Sequence, residues 1–427
     1  MYSIRFTSRA LAAAVVAATV ACADSPLPTS PTSASLDRGA QLASLSEGRG
    51  AFQRYVAMGT SLSMGVASDG AIAASQEQSW PAQLARMADR EMTLPLIALP
   101  GCRSPFQTPL ASGVRLSGEA AGAAAATLSC APNLDGVRLP TQNVAINGAR
   151  VSDALFTTPE NITDPGNAGI TARVLAPGQT QISALESQNP KIVSIEFGAN
   201  ELLPVLSGIA IPGATIVPYA TWAPLYTQLI DRAAAVTKYG VLVGLVGDVA
   251  NIPALRRGSE LYADRVTFSA AFNVTVATDC DGSDNLIFVP VRVPTAVATG
   301  LAMKKAGAGA YVLSCAAGGP TVKDYVLTPS EAAVLSAQAV QMTAYIKAEA
   351  ERLGFAYFEL NELFRSDFKP VFSVVQVMTS AEPYGAYSSL DGVHPSAVGQ
   401  RVVAEAAARA LDARYNFGIS AQLIAAR

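Results

Sequence analysis

Histidine is the side chain that base-catalysed reactions near neutral pH most often use, and this chain contains one, His394. Its unperturbed pKa of about 6.5 lets it take a proton from a hydroxyl group and return it within one turnover. Asp391 lies three residues upstream, in a loop shaped by glycine and proline, and can reach the second ring nitrogen and orient the imidazole. The spacing therefore predicts an acid–base pair, although a helix-capping aspartate beside a structural histidine gives the same short pattern.

Ser61 is the hydroxyl that we expect to serve as the nucleophile. It follows a predicted strand, Tyr55 to Met58, and stands in a Gly-Thr-Ser turn in which Gly59 permits a sharp bend. Ligands of parallel sheets bind at the carboxyl ends of the strands, where a hydroxyl on such a turn faces the substrate. Ser63 is the rival nucleophile, and a simple loop or a helix cap is also typical of such a turn.

Cleavage of an ester also needs hydrogen-bond donors for the developing oxyanion, each worth roughly 3 to 4 kcal/mol when preorganised. Gly148 follows a predicted strand, Asn143 to Ile146, and its backbone N–H can approach a substrate closely. Asn200 follows the next predicted strand, Ile192 to Phe197, and offers a side-chain amide. Both can converge with the backbone amide of Ser61, although glycine and asparagine are also ordinary turn residues.

Taken in this order, and all at predicted strand ends, these blocks resemble the GDSL or SGNH hydrolase family over residues 51 to 416. The resemblance implies a nucleophile, two further oxyanion donors, an acid and a base at Ser61, Gly148, Asn200, Asp391 and His394, respectively. It implies no metal and no organic cofactor. It also implies a three-layer α/β/α, flavodoxin-like fold around a parallel sheet of about five strands.

Two positions depart from the family's usual pattern. Thr60 stands where an aspartate usually precedes the nucleophile, and Glu201 stands where an aspartate usually follows the oxyanion asparagine. We expect Thr60 to alter how the nucleophile turn is braced. The chain contains no Gly-x-Ser-x-Gly sequence, which argues against the α/β-hydrolase version of the same triad.

The elements that must position these residues are short apolar strands alternating with longer amphipathic helices, a pattern typical of an α/β fold with a parallel sheet. Val241 to Val246 and Ala356 to Leu360 are further predicted strands. The clearest helices are predicted over 328–353 and 396–414. Three segments of weak periodicity are predicted to be insertions: residues 101–139, 251–325 and 365–390.

The amino terminus predicts export. Two arginines precede a short alanine-rich apolar run, so we interpret residues 1–21 as a signal peptide and residues 22–50 as a flexible linker. The sequence Thr-Val-Ala-Cys ending at Cys22 resembles a bacterial lipobox, which predicts lipidation of Cys22 and a place in the cell envelope, outer membrane or periplasm. Ordinary cleavage and secretion remain the alternative. Residues 417–427 are interpreted as a carboxyl-terminal tail.

Five cysteines in an exported chain leave one unpaired unless it has another role, and Cys22 is the natural odd one. We expect disulfides between Cys102 and Cys130 and between Cys280 and Cys315, each within one predicted insertion. Other pairings stay open from sequence. The long spacings and the single histidine disfavour zinc.

Composition narrows the remaining classes of function. Half of the 427 residues are hydrophobic, which is enough for a sizeable core, and the net charge is −3 with no basic run suited to nucleic acid. The sequence therefore predicts an exported carboxylic ester hydrolase acting on lipid, acyl or short-chain esters. Removal of acetyl groups from polysaccharides, acyl transfer, and an inactive surface binding protein on the same fold are the alternatives.

Overall fold

The computed structural model describes residues 46–420 apart from residue 320. The predicted signal peptide, Cys22, most of the linker and residues 421–427 of the tail lie outside the described residues. Among the helices that are described, none combines the length and apolarity needed to cross a bilayer.

A parallel sheet of four strands lies at the centre of the fold, in the order β1-β2-β3-β9. Tyr55 of β1 pairs with Ile192 of β2, which pairs in turn with Tyr239 of β3. The described strands are β1 (Tyr55–Met58), β2 (Ile192–Ile195), β3 (Tyr239–Gly244), β4 (Leu255–Arg257), β5 (Val274–Val276), β6 (Leu286–Phe288), β7 (Tyr311–Leu313), β8 (Val326–Leu327) and β9 (Ala356–Glu359).

One of the five predicted strands, Asn143 to Ile146, is not a strand of this sheet. Its segment runs beside β1 through one isolated parallel bridge, with the Val144 and Ile146 amides donating to Ala57 and Gly59 at 2.8 and 3.1 Å. The segment nevertheless carries Gly148 to the carboxyl edge of the sheet, next to the turn that follows β1.

Helices cover both faces of the sheet because successive residues of a strand point to opposite sides. The described helices are α1 (residues 46–52), α2 (Ser61–Met64), α3 (Ala73–Gln76), α4 (Trp80–Met87), α5 (Val151–Phe156), α6 (Pro165–Val174), α7 (Gln181–Glu186), α8 (Tyr219–Val236), α9 (Gly258–Ala263), α10 (Arg265–Phe272), α11 (Val289–Lys305), α12 (Pro329–Leu353), α13 (Val374–Thr379) and α14 (Ala397–Tyr415). In β1, Val56 and Met58 join the core under α7, α8 and α12, whereas Tyr55 and Ala57 join the core under α4 and α14.

The three predicted insertions contain more regular structure than their periodicity indicates. Residues 251–325 hold α9, α10 and α11, and β4 and β6 form a small antiparallel sheet with β8. Leu110 from the first insertion and Phe372 from the third pack into the same apolar cluster as Phe268 and Val293 of the second. The insertions therefore share one core of their own.

The predicted disulfides are both present, joining Cys102 to Cys130 and Cys280 to Cys315. Each lies within one insertion, as expected from the sequence. Cys280 and Cys315 are fully buried in the apolar cluster that the insertions share.

The two long predicted helices are confirmed. Helix α12 begins with a reciprocal cap, in which the Thr328 hydroxyl accepts from the Glu331 amide and the Glu331 carboxylate accepts from the Thr328 amide at 2.8 Å. It ends at Gly354, whose φ of +70° suits glycine. Helix α14 begins after Ser396, whose side chain accepts from the Gly399 amide.

We expect Thr328→Ala to lower the free energy of unfolding by about 1 kcal/mol, because it leaves amides in the first turn of α12 without an acceptor. Thr328→Ser keeps the hydroxyl and should retain most of that stability. Urea unfolding of the three proteins measures the difference, and an equal loss in both variants would contradict the capping role.

Candidate active site

The turn after β1 places Ser61 at the first position of α2, where its side chain is 6% exposed. Gly59 is required by space, since a Cβ there would lie 2.7 Å from the Ser63 hydroxyl and 2.9 Å from the Glu196 carbonyl oxygen. The Asn143 and Gln181 side-chain amides donate to carbonyl groups of the turn, at Ser63 and Gly59. The turn is therefore held on several sides while Ser61 lines a cavity.

Glu196, at the end of β2, is the acid that braces this turn, and sequence reasoning missed it. Its buried carboxylate accepts from the Thr60 amide at 3.0 Å, from the Thr60 hydroxyl at 2.9 Å and from the Ser63 hydroxyl at 3.0 Å. Thr60 thus braces the turn by donating to a carboxylate at the end of the neighbouring strand. In the pattern that the sequence resembles, an aspartate of the turn itself occupies the position of Thr60. The available signal is an acidic residue between Ile195 and Phe197, in a run that is otherwise apolar except for Ser194.

Burial raises the pKa of Glu196 to about 6, against the lowering effect of the Thr60 and Ser63 hydrogen bonds. The carboxylate therefore costs free energy to ionise in the folded protein, and the hydrogen bonds recover only part of that cost.

The hydroxyl of Ser63, the rival candidate for the nucleophile, is held by hydrogen bonds within the protein. Its hydroxyl donates to Glu196 and accepts from the indole N–H of Trp80 at 3.1 Å, and the residue is fully buried. In the part of the chain that the structure describes, the Ser61 hydroxyl makes no hydrogen bond to another residue, and Ser61 lines the same cavity as His394.

Asp391 and His394 form the predicted pair, with 2.7 Å between the Asp391 Oδ2 and His394 Nδ1 atoms. The other carboxylate oxygen accepts from the backbone amides of Val393 and His394 at 2.9 and 2.8 Å. Burial disfavours the charged imidazolium, yet the Asp391 charge and hydrogen bond outweigh it, so the pKa of His394 lies above 6.5. Burial likewise acts to raise the pKa of Asp391, but His394 lowers it below its ordinary value.

Further contacts hold this pair, and no local pattern in the sequence predicts them. The Asp69 amide donates to the Asp391 carboxylate at 2.5 Å, and the Asp69 carboxylate forms an ion pair at 2.6 Å with Arg115, which is almost fully buried. The Ser68 amide donates to the Ser389 hydroxyl at 2.8 Å. These contacts fasten the segment that follows α2 to the loop that carries His394.

The predicted oxyanion donors come together at the same edge of the sheet. The Asn200 Nδ2 atom donates to the Ala149 carbonyl at 2.8 Å, which ties the loop after β2 to the loop that carries Gly148. Within residues 46–420, no protein acceptor is found for the backbone amides of Ser61 and Gly148. Gly148 has a φ of +77°, and a Cβ there would press on the Asn167 side chain at 2.7 Å.

Glu201 has a structural contact of its own. Its Oε1 atom accepts from the Val151 amide at 2.8 Å, at the start of α5, while burial raises its pKa to about 7. The Glu201 carboxylate therefore holds the start of α5 and does not contact the histidine. Glutamate in place of the aspartate of the pattern that the sequence resembles thus affects a structural contact.

Two cavities open beside these residues. An apolar cavity of about 100 Å³ is lined by Ser61 and His394 together with a set of aliphatic side chains that includes Leu203 and Leu206. A polar cleft of about 560 Å³ is lined by Gly148 and Asn200 and again by Leu203. The predicted base and nucleophile thus border one cavity, and two predicted oxyanion donors border the other.

Comparison with models of known protein families found no match, and no curated protein matches the chain.

The buried Glu196 predicts an unusual pH dependence of stability. Because its folded-state pKa is raised, the folded protein binds this proton more tightly than the unfolded chain between about pH 4.5 and 6, and stability falls as the pH rises through that window. Relative to Glu196→Gln, the unmodified protein should lose about 2 kcal/mol of unfolding free energy between pH 4.5 and 7. Urea titrations at both pH values measure this, with Glu382→Gln, an exposed glutamate, as control; parallel pH slopes for all three proteins would contradict it.

Proposed function

We propose that the protein is a carboxylic ester hydrolase of the GDSL or SGNH type that acts through a Ser61-His394-Asp391 triad and an acyl-enzyme. The observation that carries this proposal is the 2.7 Å contact between Asp391 and His394 at the cavity that Ser61 lines. The free amides of Ser61 and Gly148 beside Asn200 support it, because a hydrolytic serine needs an anion site.

In this mechanism, Asp391 holds the Nδ1 atom of His394, which leaves Nε2 to take the proton from the Ser61 hydroxyl. The serine oxygen attacks the ester carbonyl, and the amides of Ser61, Gly148 and Asn200 donate to the oxyanion. His394 then gives the proton to the departing alcohol, and the acyl-enzyme is hydrolysed by a water that His394 deprotonates in turn.

The proposed fold is the three-layer α/β/α arrangement of that family. Its support is the parallel order β1-β2-β3-β9, with helices packed on both faces of the sheet. In this proposal the loops after β1 and β2 carry Ser61 and Asn200, and the loop before α14 carries His394.

We also propose that the protein is exported, with Cys22 as a site of lipidation in a bacterial envelope. Two disulfides in the described chain support export, since such bonds persist in oxidising compartments.

Ser61→Ala should lower kcat/KM for p-nitrophenyl butyrate by at least about 10³-fold and abolish labelling by a fluorophosphonate probe. Ser63→Ala is the matched control: it should retain labelling at Ser61 while losing stability, because the Glu196 and Trp80 hydrogen bonds lose their partner. Peptide mapping identifies the labelled residue. Labelling at Ser63, or equal turnover by the unmodified protein and the Ser61→Ala variant, would overturn the proposal.

The raised pKa of His394 determines where kcat/KM declines on the acidic side of the pH profile. His394 must be neutral to act as the base, so kcat/KM should rise with pH through an inflection above 6.5. Asp391→Asn removes the charge that raises this pKa, so the inflection should move to lower pH while kcat falls on the order of 10³- to 10⁴-fold. Stopped-assay pH profiles of both proteins measure the shift; an unmoved or higher inflection in the variant would count against the pair.

A further inference from the structure

The two cavities at the candidate site differ in chemistry, and the difference bears on the substrate. Ser61 and His394 border the apolar cavity, Gly148 and Asn200 border the polar cleft, and Leu203 lines both, so the two lie side by side. An ester likewise has two halves that meet at its carbonyl carbon.

The apolar cavity ends at Ser61 and His394 and is walled by aliphatic and aromatic side chains. Its other walls come from the loop after β2, the segment after β3, helix α12 and the segment after β9; the apolar residues among them include Leu202, Leu206, Val249, Ile252, Leu335 and Phe364. An apolar cavity of about 150 Å³ can hold benzene, which has six carbons, so the volume of about 100 Å³ here suits a ligand of roughly four carbons. The cavity therefore matches a short hydrocarbon chain.

The polar cleft offers hydroxyl and amide groups with little net charge. Its charged members are one arginine, Arg150, and two aspartates, Asp153 and Asp164. Both carboxylates already accept hydrogen bonds at helix starts, from the Arg150 and Gly166 amides at 2.9 and 2.8 Å. These contacts favour a neutral polar ligand over an ion.

Two hydroxyl groups in this cleft have no bond to protein. Within the described chain, the side chains of Ser152 and Thr163 line the cleft and make no hydrogen bond to another residue. Amides of Asn161 and Asn167 lie on the same walls. Groups that both donate and accept hydrogen bonds are what a polyhydroxylated ligand pairs with.

The order of the reaction decides which half of the ester occupies which cavity. The acyl group stays bound to the serine through both steps, so it can occupy a small apolar cavity throughout. The alcohol must leave, and water must take its place, so it needs the larger and wetter side.

We propose that the natural substrate is an ester of a short acyl chain, about four to six carbons long, with a hydroxyl-rich alcohol such as a sugar. The acyl chain lies in the cavity bordered by Ser61 and Leu206, and the alcohol lies in the cleft bordered by Ser152 and Thr163. This inference rests on the proposed ester hydrolase function.

The acyl half is tested with p-nitrophenyl acetate, butyrate, hexanoate, octanoate and laurate, which share one leaving group. We expect kcat/KM to be greatest for butyrate or hexanoate and at least about ten-fold lower for acetate and laurate. Leu206→Trp fills the cavity and should lower the ratio of butyrate to acetate turnover about ten-fold. Leu301→Trp, on a residue that is 42% exposed and lines neither cavity, should leave the ratio unchanged.

The alcohol half is tested with methyl 6-O-butyryl-glucopyranoside and cyclohexylmethyl butyrate, which share the acyl group and the ring size. We expect kcat/KM to be at least about ten-fold higher for the glucoside. The double variant Ser152→Ala and Thr163→Val should remove most of that preference. Ser269→Ala with Thr267→Val, on two α10 residues that line neither cavity, is the matched control and should retain it.

The outcomes separate the two levels of the proposal. Turnover that depends on Ser61 but is greatest for acetate or laurate, or is equal for the two butyryl esters, overturns the substrate inference and leaves the hydrolase function standing. Absence of Ser61-dependent turnover on every ester overturns both. Both preferences, each lost in its own cavity variant and retained in its control, establish the substrate class.

Discussion

Buried carboxylates that accept backbone N–H groups hold the loops at the carboxyl edge of the sheet. Beyond the last residue of a strand, the backbone has no ladder partner, and a buried amide without an acceptor is costly. Glu196 accepts from the Thr60 amide, Glu201 from the Val151 amide, and Asp391 from three amides around the histidine loop. The loop from Glu196 to Glu201 therefore fixes both of its neighbours, the nucleophile turn on one side and the Gly148 loop on the other.

Burying these carboxylates lowers the stability of the fold, but it holds the loops in place. Burial raises the pKa of Glu196 to about 6 and that of Glu201 to about 7, so each ionised carboxylate is held at a cost that its hydrogen bonds only partly offset. Asp391 differs because His394 stands 2.7 Å away and favours its charged form. The charged form of Asp391 is thus stabilised by His394, whereas for Glu196 and Glu201, which hold loops, burial outweighs the contacts that favour the charged form.

Features set by local sequence could be predicted, and features set by distant contacts could not. The strands around Tyr55 and Ile192 and the cap at Thr328 follow from runs and spacings of a few residues, and the structure confirms them. The brace from Glu196 to Thr60 spans 136 positions, and the ion pair of Arg115 with Asp69 joins an insertion to the nucleophile loop. Neither leaves a periodic or spaced pattern in the sequence.

The segment 143–146 shows the other limit of sequence reasoning. Its apolar run predicts a strand, but it makes only one bridge to β1, at Asn143, before the chain turns away. Two amides of the segment nevertheless donate to carbonyl groups of β1 and of the turn after it. Gly148, two residues further on, therefore lies near the carboxyl end of β1, where the end of a strand would also place it.

The two cavities share the loop after β2 but take their other walls from different parts of the chain. The apolar cavity uses the loop after β2, the segments after β3 and β9, and helix α12. The polar cleft uses helix α6, whose Gly169 packs against the Cys102–Cys130 disulfide and whose Asn167 accepts from Arg103 at 3.0 Å. The first insertion thus supports one wall of the cleft, and none of its residues lines the apolar cavity. In the proposed ester hydrolase, changes in that insertion near Arg103 would alter the cleft for the alcohol, whereas changes at Arg115 would also reach Asp391 through Asp69.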